Sequence, residues 1–252
     1  MVLVEAGGES LIYGRDFWPL AVGWRLVAAP SWSRELELLD QPGQPPELLR
    51  GNLRDLARVN RRLGGVRLTR RAIESLAAGR HDTAAPLSVL DVASGGLDIP
   101  RALLTGGASL RLVASDLSAA ILALDDGEIP RVGADGRNLP FMDDSFDIAI
   151  CSLVLHHLAP DGALRMLREM ARVSRLGIVV NDLVRSWAGL LGAFGLGCLT
   201  RNPLTRHDAP LSVHRAYTRP QLDVLLRGAG LEPVAAHRFL GYRVALAARS
   251  RA

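Results

Sequence analysis

The sequence predicts an α/β protein with a doubly wound, mostly parallel β-sheet. Short apolar runs at about 88–93, 110–115, 131–134, 146–151 and 176–181 alternate with segments of helical pattern. Alternation of this kind is typical of parallel strands joined by helices on both faces of the sheet. The 252 residues, 48% of them hydrophobic, are enough for one domain with an attached cap.

Residues 1–84 are predicted to form an N-terminal arm followed by helices. Residues 1–30 carry the aromatic side chains Phe17, Trp18 and Trp24 without a sustained period. We interpret them as a peripheral segment; the alternatives are an arm that covers the site, a poorly ordered extension, or translation from an upstream start. A helix is expected over 32–39, because the proline-rich run at 41–46 would end it.

A second N-terminal helix is predicted over 49–63, where leucines recur on one helical face and arginines occupy the other. Asn60 lies on the apolar side of this helix. A buried amide needs partners, so Asn60 either bonds to backbone in the core or points at a ligand. Gly64 and Gly65 end the helix, and the next one, from Leu68, leads into the first strand.

The first central strand runs into a turn of small residues and a helix start. Residues 89–98 read Val-Leu-Asp-Val-Ala-Ser-Gly-Gly-Leu-Asp, and Asp116 closes the next apolar run. Small residues let a ligand approach the backbone, and a carboxylate at the tip of the neighbouring strand can accept both hydroxyls of a ribose. Glycine-rich turns are also common as ordinary loops, so the turn alone does not decide between these interpretations.

The following segment supplies order and spacing. A third strand ends at Asp135, a Leu-Pro-Phe step at 139–141 leads through an acidic turn, and a fourth strand exits into Leu-His-His-Leu at 155–158. Over roughly residues 85–185 the chain resembles the class I S-adenosylmethionine-dependent methyltransferases, in particular the branch of the ubiquinone and menaquinone C-methylases. The resemblance implies a Rossmann-like, seven-stranded sheet within a cofactor-binding domain at 85–252, closed by a hairpin at about 234–248.

The resemblance also implies which residues bind S-adenosylmethionine. Asp91 and the backbone of 93–95 would lie along its methionine part, Asp116 would hold the ribose hydroxyls, and Asp135 with the Gly136 amide would contact the adenine edge. The complete set, whose last two members would lie near the sulfonium, is Asp91, Ala93, Ser94, Gly95, Asp116, Leu117, Asp135, Gly136, Ser152 and Leu153.

The chain departs from the family pattern at Ala93 and Leu97, where the acidic-x-Gly-x-Gly-x-Gly turn has its first and third glycines. Leu97 is expected to bring bulk to the helix start that faces the cofactor. We interpret this as a reshaped methionine pocket; the alternative is weakened or lost cofactor binding.

An insertion over 183–217 is longer than an ordinary connection in such folds. Its first half, 186–199, is almost entirely apolar and rich in glycine, and its second half carries arginines, histidines and a tyrosine. We interpret it as a cap over a small organic substrate. The alternatives are a surface helical hairpin and a dimer contact.

Methyl transfer needs alignment of the reactants and removal of a proton from the acceptor. His156 and His157 follow the fourth strand and are candidates for base or acceptor positioning, although only one is expected to face the cleft, and the pair is also a generic feature of the branch. His207 is a further candidate, with Asp208 expected to point the other way on an extended segment. Asp182 is expected to hold the backbone of the insertion.

Composition limits the partners. The net charge is +4, and the basic residues, all arginines, are interleaved with acids, whereas a nucleic-acid footprint would cluster them. Cys151 and Cys198 are too few for a disulfide framework, and no metal site is expected. No apolar stretch could span a bilayer and no basic secretion signal begins the chain, so we expect a cytoplasmic protein, monomeric or homodimeric.

The predicted function is therefore methyl transfer from S-adenosylmethionine to oxygen or carbon of a phenolic, polyketide or quinone-like acceptor. One alternative is a cofactor-binding protein without methyl transfer, acting as a structural or regulatory subunit or catalysing a rearrangement. An RNA or protein methyltransferase is a further alternative. Methyltransferases that act on amino groups of nucleic-acid bases often carry a Pro-Pro-Tyr or Pro-Pro-Phe step. This chain has Asn181-Asp182-Leu183 at that place.

Overall fold

The computed structural model describes residues 2–6, 9–13, 29–78, 85–107, 109–124 and 127–251; the aromatic residues Phe17, Trp18 and Trp24 lie outside this part. The strands are β1 (Val2–Ala6), β2 (Glu9–Tyr13), β3 (Leu87–Val92), β4 (Leu110–Asp116), β5 (Arg131–Gly133), β6 (Phe146–Ser152), β7 (Ser174–Leu183), β8 (Leu231–Phe239) and β9 (Arg243–Ser250). The α-helices are α1 (Pro46–Arg62), α2 (Gly65–Ala77), α3 (Asp98–Thr105), α4 (Ala119–Leu122), α5 (Pro160–Arg172), α6 (Trp187–Leu199), α7 (Pro203–Arg215) and α8 (Arg219–Gly228). Two 3-10 helices cover Leu38–Asp40 and Leu155–His157.

The central sheet confirms the predicted fold class. Within the described residues it has seven strands in the order β5-β4-β3-β6-β7-β9-β8. The pairs among β5, β4, β3, β6 and β7 are parallel, and β9 runs antiparallel to both β7 and β8. β1 and β2 form a separate two-stranded antiparallel sheet. This is the doubly wound, mostly parallel sheet with a closing hairpin that the resemblance implied.

Both faces of the sheet are buried, which explains why its strands read as continuous apolar runs. Side chains alternate between the faces along each strand. On β6, Ala149 and Cys151 pack in the core cluster that includes side chains of α5 and α8, whereas Ile148 and Ile150 pack in the cluster that includes side chains of α2 and α3.

The prediction of a helix over 32–39 is wrong. Residues 31–37 have no regular secondary structure and lead into the 3-10 helix. The cause is non-local: the carboxylate of Asp208 accepts hydrogen bonds from the backbone N–H groups of Leu38 (2.8 Å) and Leu39 (3.0 Å), and the Trp32 indole donates to the carbonyl of Arg215. These contacts replace the bonds that a helix would make within itself.

The insertion folds as the helix pair α6 and α7. Ser186 caps α6 by accepting from the Gly189 N–H, and Asn202 caps α7 by accepting from the Leu204 N–H. Two hydrogen bonds join this helix pair to α1. Asn52 Nδ2 donates to Thr205 Oγ1 (3.1 Å), and Thr200 Oγ1 donates to Asp55 Oδ2 (2.5 Å). The pair therefore lies against the N-terminal helices at the carboxyl edge of the sheet.

Among the described helices, none combines the length and the apolar character that crossing a membrane requires.

Candidate active site

A cavity of about 1120 Å³ opens at the carboxyl edge of the sheet. Its floor is made by the segments that follow β3, β4, β5 and β6, and its walls by α1, the 3-10 helix at Leu38–Asp40, α6 and α7. Small-molecule sites usually measure about 300–1,000 Å³. The cavity is therefore large enough for two ligands side by side.

Asp116 presents a pre-oriented carboxylate to this cavity. Its Oδ2 accepts from the Gly95 N–H at 2.8 Å and its Oδ1 accepts from the Ser118 N–H at 2.9 Å. Each carboxylate oxygen keeps a further lone pair, so the group can accept two hydroxyls of a bound sugar. Ser94 and Leu117 line the cavity beside it.

Asp91 lies behind this surface and does not line the cavity. It is 2% exposed, and none of the described residues donates a hydrogen bond to its Oδ1. Burial, with the charges of Asp98 and Asp116, raises the pKa of Asp91 well above its usual range. A buried oxygen without a partner is costly, so this carboxyl is suited to a cationic group nearby.

Asp98 is a cavity residue that the sequence did not identify. It opens α3, and Asn60 Nδ2 donates to its Oδ2 at 2.9 Å. Burial raises the pKa of Asp98, and the Asn60 bond partly opposes that effect. Both side chains line the cavity, so Asn60 is placed where a ligand could reach it, and its contact with a ligand stays a prediction.

The expectation for Leu97 is corrected by the structure. Its φ is +59°, and its side chain is fully buried in the core cluster of Ile99 and Leu103 and does not line the cavity. Leu97 thus has a left-handed backbone conformation, and its side chain packs in the core and adds no bulk to the cavity. Ala93, with a φ of +57°, lines the cavity with a single methyl group.

Asp135 and Gly136 also line the cavity, but the Asp135 carboxylate is already engaged. Arg137 contacts both of its oxygens, with Nη2 2.7 Å from Oδ2 and Nε 2.9 Å from Oδ1. This hydrogen bonding lowers the pKa of Asp135. Of the Asp135 carboxylate and the Gly136 backbone, the backbone is therefore the more available to bind a ligand.

Ser152 and Leu153 line the cavity after β6, and Ser152 is held by a buried arginine that sequence reasoning missed. Arg243 is 1% exposed and donates from Nη2 to Ser152 Oγ (3.1 Å) and from Nε to Asn181 Oδ1 (2.8 Å). Burial lowers the pKa of Arg243 to about 10. It comes from the antiparallel strand β9, so no local motif links it to the site.

His156 and His157 both line the cavity, so the expectation that only one could face it is wrong. The 3-10 turn stacks their rings with centroids 4.3 Å apart and planes tilted by 36°. His156 Nδ1 lies 2.7 Å from Asp182 Oδ1, and His157 Nδ1 lies 2.9 Å from Asp40 Oδ2. Burial lowers the pKa of His157, but the bond to Asp40 and nearby carboxylates outweigh it and leave this pKa raised.

Asp182 holds backbone as expected and also orients a histidine. Its Oδ2 accepts from the Leu155 N–H and its Oδ1 from the Leu183 N–H, beside the contact with His156. Burial raises the pKa of Asp182, but His156 and these donors outweigh the effect and lower it.

Glu37 lies beside the two histidines, and no sequence signal pointed to it. The residue is 3% exposed; its Oε1 lies 3.7 Å from His156 Nε2 and its Oε2 lies 3.8 Å from His157 Nε2. Ser212 Oγ donates to Oε1 at 2.8 Å, and Arg215 Nε lies 3.9 Å from the same atom.

His207 is not placed in the cavity. Its side chain is 40% exposed on α7, with Nδ1 2.8 Å from Asp208 Oδ1. The expectation that these neighbours lie on an extended segment and do not pair is wrong, because both lie on helix α7 and their side chains are in contact. Asp208 faces inward to bind the backbone of Leu38 and Leu39, which leaves His207 at the surface.

Residues 90–180 match the family described as a methyltransferase domain. A 90-residue stretch is 41% identical to a demethylmenaquinone methyltransferase of Mycobacterium bovis (strain BCG / Pasteur 1173P2), covering 35% of this chain and 37% of that protein. The match thus spans well under half of this relative.

Two solved structures share the fold. A SAM-dependent methyltransferase from Aquifex aeolicus aligns over 82% of this chain and 98% of that one, at 17% identity and a TM-score of 0.54. Magnesium protoporphyrin IX methyltransferase from Synechocystis PCC 6803 with bound SAH aligns over 84% and 91%, at 16% identity and a TM-score of 0.53. The chain therefore has the fold of these methyltransferases, and its residues 90–180 are similar to the methyltransferase domain family.

Proposed function

We propose that the protein transfers a methyl group from S-adenosylmethionine to an oxygen or carbon atom of a small phenolic, polyketide or quinone-like acceptor. The observation that carries the proposal is the Asp116 carboxylate, held by two backbone donors at the floor of a cavity with room for two ligands. When bound, the cofactor supplies an electrophilic methyl group on a positively charged sulfur.

The residues at the carboxyl edge fit this cofactor. Asp116 would accept the ribose hydroxyls, and the Gly136 backbone would contact the adenine edge. Asp98 would offset the positive charge of the methionine amino group, together with the Oδ1 of Asp91, to which no group of the described residues donates. Ser152 and Leu153 would lie near the sulfonium, as the remaining members of the predicted set.

The acceptor would occupy the other half of the cavity, beneath 183–217 acting as a cap. Leu53 and Leu56 of α1 face this space together with Leu196 of α6, and such apolar walls suit a flat lipophilic molecule. Exclusion of water around a reactive cation favours transfer to the intended acceptor. The name of the mycobacterial relative supports a quinone-like acceptor.

His156 and His157 are proposed to position the acceptor's oxygen. Their rings are fixed by Asp182 and Asp40, so they offer Nε2 atoms at defined places in the cavity wall. Methyl transfer depends on alignment of nucleophile, carbon and leaving sulfur, and such fixed contacts supply it. We do not assign this role to His207, which lies outside the cavity.

Two measurements test the proposal. Isothermal titration calorimetry with S-adenosylmethionine and its demethylated product should show one site per chain. Incubation with a panel of catechols, naphthols and short-chain naphthoquinols, followed by mass spectrometry, should show a gain of one methylene on at least one compound class. Absence of cofactor binding in the folded protein would overturn the proposal, and methylation of RNA in place of these compounds would replace the acceptor class.

A further inference from the structure

Three potential metal ligands from two distant parts of the chain meet in the cavity wall. One ligand atom each from Glu37, His156 and His157 lies within 4.8 Å of the others. All three residues line the cavity. Glu37 comes from the segment before α1, whereas the histidines follow β6, so only the folded chain brings them together.

The spacing leaves a gap of the right size for an ion. Glu37 Oε1 and Oε2 lie 3.7 and 3.8 Å from the Nε2 atoms of His156 and His157, beyond ordinary hydrogen-bond distance. Two ligand atoms bound to one ion at about 2.1 Å, with tetrahedral angles, lie about 3.4 Å apart. Small side-chain movements would bring all three groups into coordination.

The other ring nitrogens are arranged as in metal sites. Asp182 and Asp40 each bind the Nδ1 of one histidine, at 2.7 and 2.9 Å. Because an ionised carboxylate only accepts, Nδ1 carries the proton and Nε2 presents its lone pair toward Glu37. Carboxylate partners of this kind fix the orientation of metal-bound histidines and increase their basicity.

The charge around the three ligands favours a cation. The carboxylates of Glu37, Asp40 and Asp182 surround the histidine pair, and Arg215 brings an opposing positive charge 3.9 Å from Glu37. The Arg215 guanidinium also donates to the carbonyls of His156 (3.1 Å) and His157 (2.9 Å). A negative balance therefore remains for a bound ion to neutralise.

We propose that Glu37, His156 and His157 bind a divalent first-row transition-metal ion, with its remaining coordination positions open to the cavity. Two imidazoles and one carboxylate suit zinc or iron(II) better than magnesium, which prefers oxygen ligands. The ion's role rests on the proposed function: it would bind the acceptor's oxygen and hold it for methyl transfer. Binding of the ion itself does not depend on that function.

The first test is calorimetric titration of chelator-treated protein with Zn²⁺ alone, without cofactor or acceptor. One ion per chain is expected, and His157→Gln should weaken its affinity at least a hundredfold. His237→Gln is the matched control, because His237 lies on β8 and contacts Ser75. No saturable binding, or equal binding in both variants, would overturn the site and make any bound zinc adventitious.

A second variant keeps all three ligands. Asp40→Asn leaves Glu37 and both histidines in place and should weaken Zn²⁺ binding by about 10- to 100-fold, as loss of an outer carboxylate does elsewhere. Asp143→Asn, an exposed acidic residue that pairs with Arg172, is the matched control and should bind as the parent does. Unchanged affinity in Asp40→Asn, with the fold intact by circular dichroism, would contradict the proposed arrangement.

Titration of the metal-free protein with S-adenosylhomocysteine separates the two proposals. Cofactor binding without zinc binding would overturn the metal site alone. Zinc binding without cofactor binding would overturn the proposed function and leave the metal site standing. Absorption spectra of the Co²⁺-loaded protein give an independent readout, because the visible bands should change in His157→Gln and not in His237→Gln.

Discussion

Ala93 has a left-handed backbone conformation that disfavours any residue with a Cβ atom. This conformation costs an L-residue roughly 1–2 kcal/mol, and glycine avoids most of that cost while losing about 0.4–1 kcal/mol through its freer unfolded chain. Ala93→Gly should therefore stabilise the protein by about 0.5–1 kcal/mol, measured by urea unfolding. A loss of stability would show that the methyl group makes contacts worth more than the strain.

Asp116 should dominate binding of the nucleoside. Hydrogen bonds to a charged group contribute about 1.5–3 kcal/mol, so Asp116→Ala should weaken binding of S-adenosylhomocysteine tenfold or more. Asp135→Asn should have a smaller effect, because the Asp135 carboxylate is already bound by Arg137. Calorimetry on both folded variants measures the difference. Unchanged affinity in Asp116→Ala would remove the ribose assignment.

At the scale of elements, helix α6 offers a direct test of the cap. Gly192 lines the cavity and Gly195 does not, yet at either position an added Cβ would meet no atom of the described residues within 4 Å. Gly192→Leu should fill acceptor space and raise the acceptor KM at least tenfold, with cofactor affinity unchanged. Gly195→Leu is the matched control with the same change on the same helix. Equal KM values in the two variants would place the acceptor away from α6.

The strands of the sheet could be predicted from sequence because their signal is local. The predicted runs at 110–115 and 146–151 correspond to β4 and β6 within one residue. The helix expected over 32–39 failed because Asp208, about 170 residues away, binds the backbone of Leu38. Leu97 was misjudged for a related reason, since sequence alone does not reveal on which side of a turn a side chain lies.

The same contrast holds for the site. The cofactor-facing set could be proposed because its members follow consecutive strands, and Asp116 and Ser94 line the cavity as that order requires. Glu37 and Asp40 could not, because 117 residues separate Asp40 from its partner His157 and no spacing rule connects them. Arg243 is hidden likewise on an antiparallel strand. Residues that are brought together only by the insertion at 183–217 and the closing hairpin leave no pattern in the sequence.

At the scale of the whole molecule, one ion pair ties three strands together at the edge opposite the site. Asp147 on β6 accepts from the Ser88 N–H on β3 and pairs with Arg175 on β7. Burial raises the pKa of Asp147, but the bonds from Arg175 and Ser88 outweigh it and lower this pKa below its ordinary value of 3.8. The resulting stability is present above about pH 4 and is lost as pH falls through the lowered pKa.

Asp147→Asn should therefore destabilise the protein by about 1–2 kcal/mol at pH 7. The difference from the parent should shrink as pH falls below 4 and through the lowered pKa of Asp147, because the protonated carboxyl is then neutral like the amide. Urea unfolding at several pH values measures both effects, and cofactor affinity should stay unchanged, because the site occupies the other edge. A difference that is independent of pH would show that the charge of Asp147 contributes nothing.

The stretch 31–40 is fastened to α7, through the bonds of Leu38 and Leu39 to Asp208, of Ser33 to the His214 carbonyl, and of Glu37 to Ser212. Neither piece can separate from the other without breaking these bonds, so the two should open as one cooperative unit. In hydrogen-exchange mass spectrometry, amides 38–39 should share the protection factor of α7, and a ligand that occupies the cavity should slow exchange in both by the same ratio. Ligands would then enter the cavity when the stretch 31–40 and helix α7 move away from it together, although the two are far apart in the sequence.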